Sequence, residues 1–256
     1  MLPVLLELGP LRIGGYGFMM ALSFVFGWLL TRRLGAGIAP KTAPGDFWDG
    51  MCGFLVLFGL LGAKALLVIV FLPEMLREGN PFALLNGGGI WLGGVVGGLA
   101  AFRWQVRKAR VPAAPALDVL FAVLPFSHAL GRLGCFLGGC CFGRPTDLPW
   151  AVVYTHPLAN ELQGTPLGIP LHPYPLYEVF LELLNFAICL AVLRRKTTPG
   201  AVAATWVGLY GIQRFFLEWL RYDERGSYGL FSTSQWISLA MVAIAAVWFY
   251  LHRRTR

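Results

Sequence analysis

Seven stretches of this chain are dominated by apolar residues, at 14–31, 47–71, 84–102, 113–136, 176–193, 202–220 and 235–251. Polar, charged or Pro/Gly-rich punctuation separates several of them, as in "APKTAPGD", "ARVPAAP", "RRKTTPG" and "RYDERGSYG". An α-helix needs about 20 apolar residues to cross a hydrocarbon core, so the pattern predicts an all-α integral membrane protein of seven transmembrane helices. Residues 1–256 read as one membrane domain. The segment 137–175 is expected to form a small periplasmic cap between the fourth and fifth helices, with "WAVVY" as a short strand. No internal repeat or low-complexity linker interrupts the pattern. The N-terminus lacks the basic region that precedes a signal peptide's apolar core, with Glu7 ahead of Arg12, so the first helix reads as retained.

Composition agrees with the pattern. Hydrophobic residues make up 57% and charged residues 13%, against about 25% charged in soluble domains, and the mean hydropathy is +0.64. The net charge of +8 is unevenly placed. Arg32, Arg33 and Lys41 follow the first helix, Arg103, Arg107, Lys108 and Arg110 the third, and Arg194, Arg195 and Lys196 the fifth; Arg253, Arg254 and Arg256 end the chain. The opposite side holds Arg12, Arg77, Arg144, Arg221 and Arg225. Basic loops stay cytoplasmic, which predicts the N-terminus outside and the C-terminus in the cytoplasm. Membrane anchoring accounts for the charge, and no nucleic-acid partner is needed.

Lys64, Arg132 and Arg214 lie within or at the ends of apolar segments, where an unpaired charge is costly and a functional role is the default inference. With the predicted orientation all three lean towards the outer leaflet. Tyr16, Tyr177 and Glu178 open helices from that same side. Arg214, Glu218 and Arg221 follow an i, i+4, i+7 spacing that places them on one helix face. Internal ion pairing is the plain reading of each residue. The one-sided cluster as a whole points to a site for an anionic head group, because Arg is well matched to phosphate.

Cys135, Cys140 and Cys141 sit in "GRLGCFLGGCCFGRPTD". Their C-x4-C-C spacing matches no common zinc pattern, even with His128 nearby, so no metal and no cofactor is expected. A disulfide and simple packing in a tight turn both stay open, although adjacent cysteines pair with strain. Cys52 and Cys189 read as packing residues inside helices. In "GGVVGG", Gly94 and Gly98 form a G-x-x-x-G that permits close helix approach.

Six stretches together resemble the bacterial prolipoprotein diacylglyceryl transferases: "GGYGFMMAL", "LGAKALLVIVF", "NGGGIWLGGVVGG", "GRLGCFLGGCCFGRPT", "HPYPLYEVFLELL" and "YGIQRFFLEWLRYD". The resemblance implies seven helices in the inner membrane, with the active site towards the outer leaflet. It also implies transfer of diacylglycerol from phosphatidylglycerol to the lipobox cysteine of prolipoprotein signal peptides, giving a thioether and glycerol phosphate. Residue by residue it places catalytic roles on Tyr16, Arg132, Arg214 and Glu218. Substrate binding would fall to Arg132, Gly143, Gly93 and Gly94, with Lys64, Tyr177, Glu178, Arg221 and His128 around them.

The chain departs from the family pattern in several places. Cys135, Gly138 and Cys140 stand where Asn, Asn and Glu are usual, Leu92 where a histidine is frequent, and Lys64 where an arginine is common. Leucine takes no proton, so the base for the acceptor thiol is open among Glu218, Glu178, His128 and His172. Two other classes fit parts of the pattern, a non-catalytic lipid-binding relative and a transporter of a small anion. A transporter would place its polar groups near the midplane.

Overall fold

The computed structural model describes residues 2–8, 11–37, 45–77, 89–195, 198–222 and 227–253, and the side chains of these apart from residues 7, 8, 11, 12, 73–75, 227 and 228. Of the orientation signals, Lys41, Lys196, Arg225, Arg254 and Arg256 lie outside the described residues, as does the side chain of Arg12. Residues 84–88 of the third apolar stretch lie outside them too.

Each predicted stretch contains a helix. In chain order these are α1 (Gly15–Gly35), α2 (Phe47–Arg77), α3 (Trp91–Lys108), α4 (Ala113–Gly138), the short α5 (Pro157–Gln163), α6 (Tyr174–Arg194), α7 (Ala201–Leu217) and α8 (Thr233–His252). Four described segments are long and apolar enough to cross a membrane: Phe47–Leu72, Ala113–Gly138, Tyr174–Arg194 and Thr233–His252. The others fall short of that standard for readable reasons. The 17 residues of α7 are fewer than the roughly 20 a bilayer core takes, and α3 carries Arg103, Arg107 and Lys108 in its last turns.

The chain forms two compact units, Met1–Leu30 with Leu117–Arg256, and Thr31–Ala116. In the second unit α2 and α3 cross at glycines. A Cβ on Gly62 would stand 2.3 Å from the carbonyl of Gly93, and one on Gly97 2.1 Å from that of Phe58. The tight seam is therefore Gly62, Gly93 and Gly97; at Gly94 and Gly98, the pair read from the sequence, the nearest atoms are 3.3 and 4.0 Å away.

In the first unit α1 lies against α4. Ser23 Oγ donates to the Ser127 carbonyl at 2.8 Å, Ser127 Oγ returns a bond to the Ser23 carbonyl at 3.3 Å, and Gly27 leaves room for the Ser127 hydroxyl. Nearer the other end, Gly134 and Gly138 let the first turn of α1 approach, with Tyr16 backbone 3.2 Å from a Cβ at 134 and Tyr16 Cβ 3.3 Å from one at 138. Asp118 explains another polar intrusion. Buried in α4, it accepts the N–H groups of Gly200 at 2.6 Å, Val202 at 3.0 Å and Ala203 at 3.1 Å, capping orphan donors at the start of α7 from a different helix. At the start of α8, Ser232 and Gln235 form a reciprocal capping box.

Between α4 and α6 the chain builds a small folded segment. Strands β3 (Val152–Val153) and β4 (Pro170–Leu171) pair antiparallel, so "WAVVY" does contain a strand, and Phe142, Tyr154 and Leu171 pack together beneath them. Two further hairpins flank the helices, β1 (Val4–Leu8) with β2 (Leu11–Gly14), and β5 (Ser227–Tyr228) with β6 (Phe231–Ser232).

Candidate active site

Five charged side chains of the first unit, from α4, α6, α7 and the 3₁₀ turn that follows α7, assemble into two clusters. Arg132 lies one turn beyond His128 on α4, so both point the same way. Its Nε is 2.9 Å from Glu178 Oε2 on α6 and donates to His128 Nε2 at 3.1 Å. Glu178 is buried, and an unpaired carboxylate there would be costly; Arg132 supplies the counter-charge. His128 Nδ1 in turn stands 3.5 Å from Glu182 Oε1. The imidazole thus stands between a guanidinium and a second carboxylate.

Glu182 is the residue of this network that the sequence reading missed. It is wholly buried on α6, one turn after Glu178. It accepts from Gln213 Nε2 and from Trp206 Nε1 at 3.2 Å on α7, while Asn185 Nδ2 donates to Gln213 Oε1 at 2.8 Å. A second acidic residue at i+4 in an apolar helix was the available signal. Weighing cations first, and the carboxylates only as their partners, passed it over.

The second cluster centres on Arg214, buried near the end of α7. Its Nη1 donates to Tyr174 Oη, and its Nη2 donates to Ser234 Oγ at 3.2 Å and lies 2.5 Å from Glu218 Oε2. Glu218 Oε1 accepts from Ser232 Oγ at 2.8 Å. The i, i+4 pairing of Arg214 with Glu218 is as expected, but the single helix face through Arg221 is not. The α-helix ends at Leu217, a 3₁₀ turn covers Glu218–Leu220, and Arg221 is extended at φ −77° and ψ 152°. Arg221 instead packs its guanidinium over the Tyr174 ring, 4.8 Å from the centroid, and its backbone pairs with Gly143.

Gly143 marks a three-way junction. Its N–H donates to the His172 carbonyl at 3.2 Å, while the next N–H, from Arg144, donates to the Leu220 carbonyl at 2.8 Å. A Cβ at 143 would meet His172 Cβ at 2.6 Å, the His172 carbonyl at 2.8 Å and the Leu220 carbonyl at 2.9 Å, so only glycine fits. Here the end of the α4 segment, the approach to α6 and the exit from α7 are tied into one layer.

Other predicted residues sit differently. Tyr177 Oη accepts from Trp150 Nε1 at 2.8 Å and lies 3.1 Å from His172 Nδ1, which engages it with the loop segment rather than with either arginine. Tyr16 is 44% exposed at the start of α1, beside the last turns of α4. Lys64, Gly93 and Gly94 belong to the second unit; Gly93 is used in the α2–α3 seam, and Leu92 is exposed. Cys135, Cys140 and Cys141 are free thiols whose sulfur atoms all lie within 4.8 Å of one another. The two neighbouring thiols, and then the guanidiniums of Arg132 and Arg221, pull the Cys141 thiol below its ordinary value. Cys52 and Cys189 lie within α2 and α6, Cys189 fully buried.

Comparison with known proteins identifies the family. The family described as "Prolipoprotein diacylglyceryl transferase" matches residues 3–251. The chain belongs to that family. A phosphatidylglycerol–prolipoprotein diacylglyceryl transferase of Clostridium tetani is 32% identical over 99% of this chain and 98% of its own length. The protein of that name from Photobacterium profundum is 34% identical over 94% of this chain and 86% of its own, and that of Bordetella parapertussis 33% identical over 95% and 92%. The resemblance read from six motifs therefore extends over the whole chain, and the transferase family is a membrane one, in keeping with the apolar helices.

Proposed function

We propose that this chain is a phosphatidylglycerol–prolipoprotein diacylglyceryl transferase, moving a diacylglyceryl group from phosphatidylglycerol onto the lipobox cysteine thiol of a prolipoprotein. The observation that carries the reading is the pair of intramembrane arginines, half-buried Arg132 and buried Arg214, held by carboxylates and hydroxyls in a member of this family. The protein spans the inner membrane seven times with its N-terminus outside and its C-terminus in the cytoplasm. The site faces the outer leaflet, beneath residues 137–175 as a cap.

The reaction forms a bond between the acceptor sulfur and the glyceryl carbon, breaks the bond from that carbon to the phosphate oxygen, and leaves the electron pair on glycerol phosphate. Two demands follow: leaving-group charge must be met by fixed donors, and the thiol must lose its proton. Arg132 serves the first. Among the described residues its ion pair with Glu178 and its hydrogen bond to His128 both run through Nε, and its terminal nitrogens are the ones that would face phosphate. Arg214 is more deeply committed, and with Tyr174 and Glu218 it supplies a fixed positive field nearby. His128 acts as a positioning residue. Its Nε2 accepts from Arg132 Nε, and Glu182 Oε1 lies 3.5 Å from the opposite nitrogen.

The proton goes to Glu178. Glu178 is the carboxylate paired with Arg132, so it stands beside the guanidinium that meets the phosphate. The decisive experiment combines purified protein with phosphatidylglycerol vesicles and a lipobox peptide, with the diacylglyceryl thioether read by mass. Bound lipid with no adduct supports the non-catalytic relative, and adduct formation that survives Glu178→Gln unchanged removes Glu178 as the base.

A further inference from the structure

The three thiols of the signature segment are the one cluster of metal-ligating groups of this kind among the described residues, and the mechanism above makes no use of them. The sequence spacing gave no zinc pattern, but the fold achieves what the spacing did not. Cys135 sits in the last turns of α4, while Cys140 and Cys141 follow its end, the Cys140 N–H donating to the Cys135 carbonyl at 3.0 Å. Cys141 adopts φ 58°, a left-handed backbone that costs an L-residue roughly 1 kcal/mol or more, and in that conformation its sulfur joins the other two.

All three sulfurs lie within 4.8 Å of one another and none is bonded to another. Three thiolates bound at about 2.3 Å to one ion stand about 4 Å apart, so a small contraction closes the set. A disulfide would use two sulfurs and strand the third. Cys135 is buried, whereas Cys140 and Cys141 are partly exposed, which gives an ion a path in.

We infer that Cys135, Cys140 and Cys141 form a three-thiolate site for a single soft d¹⁰ cation, zinc or copper(I). Soft thiolates select such ions. Copper(I) accepts three-fold coordination outright, and zinc would add one external ligand in the position that a three-ligand site leaves open. The bound ion would staple the last turns of α4, which carry Arg132, to the segment leading to Gly143.

The test uses the full chain in detergent, reduced and stripped of metal, then titrated separately with zinc(II) and with copper(I) against competing chelators. Retained metal, thiolate-to-metal absorption and the number of thiols protected from a thiol reagent are measured. One ion per chain, with three thiols protected, is expected for at least one of the two ions. The relative retention of zinc and copper(I) identifies the preferred one. Cys135→Ser, Cys140→Ser and Cys141→Ser should each abolish stoichiometric binding, while Cys52→Ser and Cys189→Ser should leave it intact. Ligand deprotonation makes binding weaken in acid. The inference is overturned by no stoichiometric uptake of either ion, by full binding in the three signature variants, or by a disulfide among these cysteines in protein taken from metal-replete membranes without reductant. The thiol-protection count on the unaltered chain decides the matter even where a variant fails to fold.

Discussion

At the scale of single residues, geometry separates guanidinium from mere positive charge. Arg214 meets Tyr174, Ser234 and Glu218 through two nitrogens, and Arg132 meets His128 and Glu178 through one. A lysine ammonium keeps the charge but not the fork. Arg132→Lys and Arg214→Lys should each cost transfer about 2 to 4 kcal/mol of transition-state stabilisation, the range for removing one fixed donor from a charged transition state. Lys64→Arg should be far milder. Single-turnover lipid transfer by folded protein checks all three, and normal rates in the two arginine variants would return those residues to structural ion pairing.

Glu182 yields a contrasting expectation, since its substitution acts on the fold as well as on Arg132. Glu182→Ala strands the side-chain donors of Gln213 and Trp206 and should destabilise by about 1 to 3 kcal/mol, read by thermal unfolding in detergent, with Glu182→Gln milder. The cost of an intramembrane charge made Arg132, Arg214 and Glu218 legible in the sequence. The same rule applied to "YEVFLELLNF" would have exposed Glu182 and Asn185. What no rule of spacing could give is the partner across helices, because Gln213 and Trp206 meet Glu182 only once α6 and α7 pack.

Elements were more legible than their ends. Apolar runs set by bilayer thickness announce helices plainly, whereas the exit of α7 depends on tertiary pairing. Arg144 and Gly143 bond the strand-like approach to α6 and the chain beyond Leu220, so Arg221 leaves the helix that its i+7 spacing suggested. Gly143→Ala should therefore be poorly tolerated. Its Cβ would press on two carbonyls and one side chain within 3 Å, and overpacking of this kind costs about 1 to 3 kcal/mol. Reduced unfolding temperature together with reduced transfer is expected; a variant as stable as the unaltered chain would show that the junction relaxes cheaply.

The loop segment carries its own pH signature. Burial pushes the Tyr154 phenol up, with the nearby Cys140 thiol adding to the shift. A group whose folded value is raised contributes stability below its unfolded value of about 10 and loses it as pH rises past that point. Hydrogen exchange of residues 152–171 should accelerate above that pH, and Tyr154→Phe should remove this part of the dependence.

Across the whole molecule, the charge pattern speaks to topology while the fold alone does not, since an isolated chain has no inside. Arg103, Arg107, Lys108 and Arg110 cluster at the end of α3, and Arg194 and Arg195 at the end of α6. In the proposed topology each of these helix ends is cytoplasmic, as basic clusters favour. The segment that contains α5 and the β3–β4 pair carries few cations and is joined to Arg221 through Gly143, and the proposed topology puts it outside. Single cysteines introduced at positions 107 and 161, in a background with the native five replaced, test this in intact cells. Position 161 should react with an impermeant thiol reagent from outside, and position 107 only after the inner face is opened. The reverse pattern would turn the site towards the cytoplasm, where an acceptor presented on the outer face could not reach Arg132, and the transferase reading would then need a different route for its peptide.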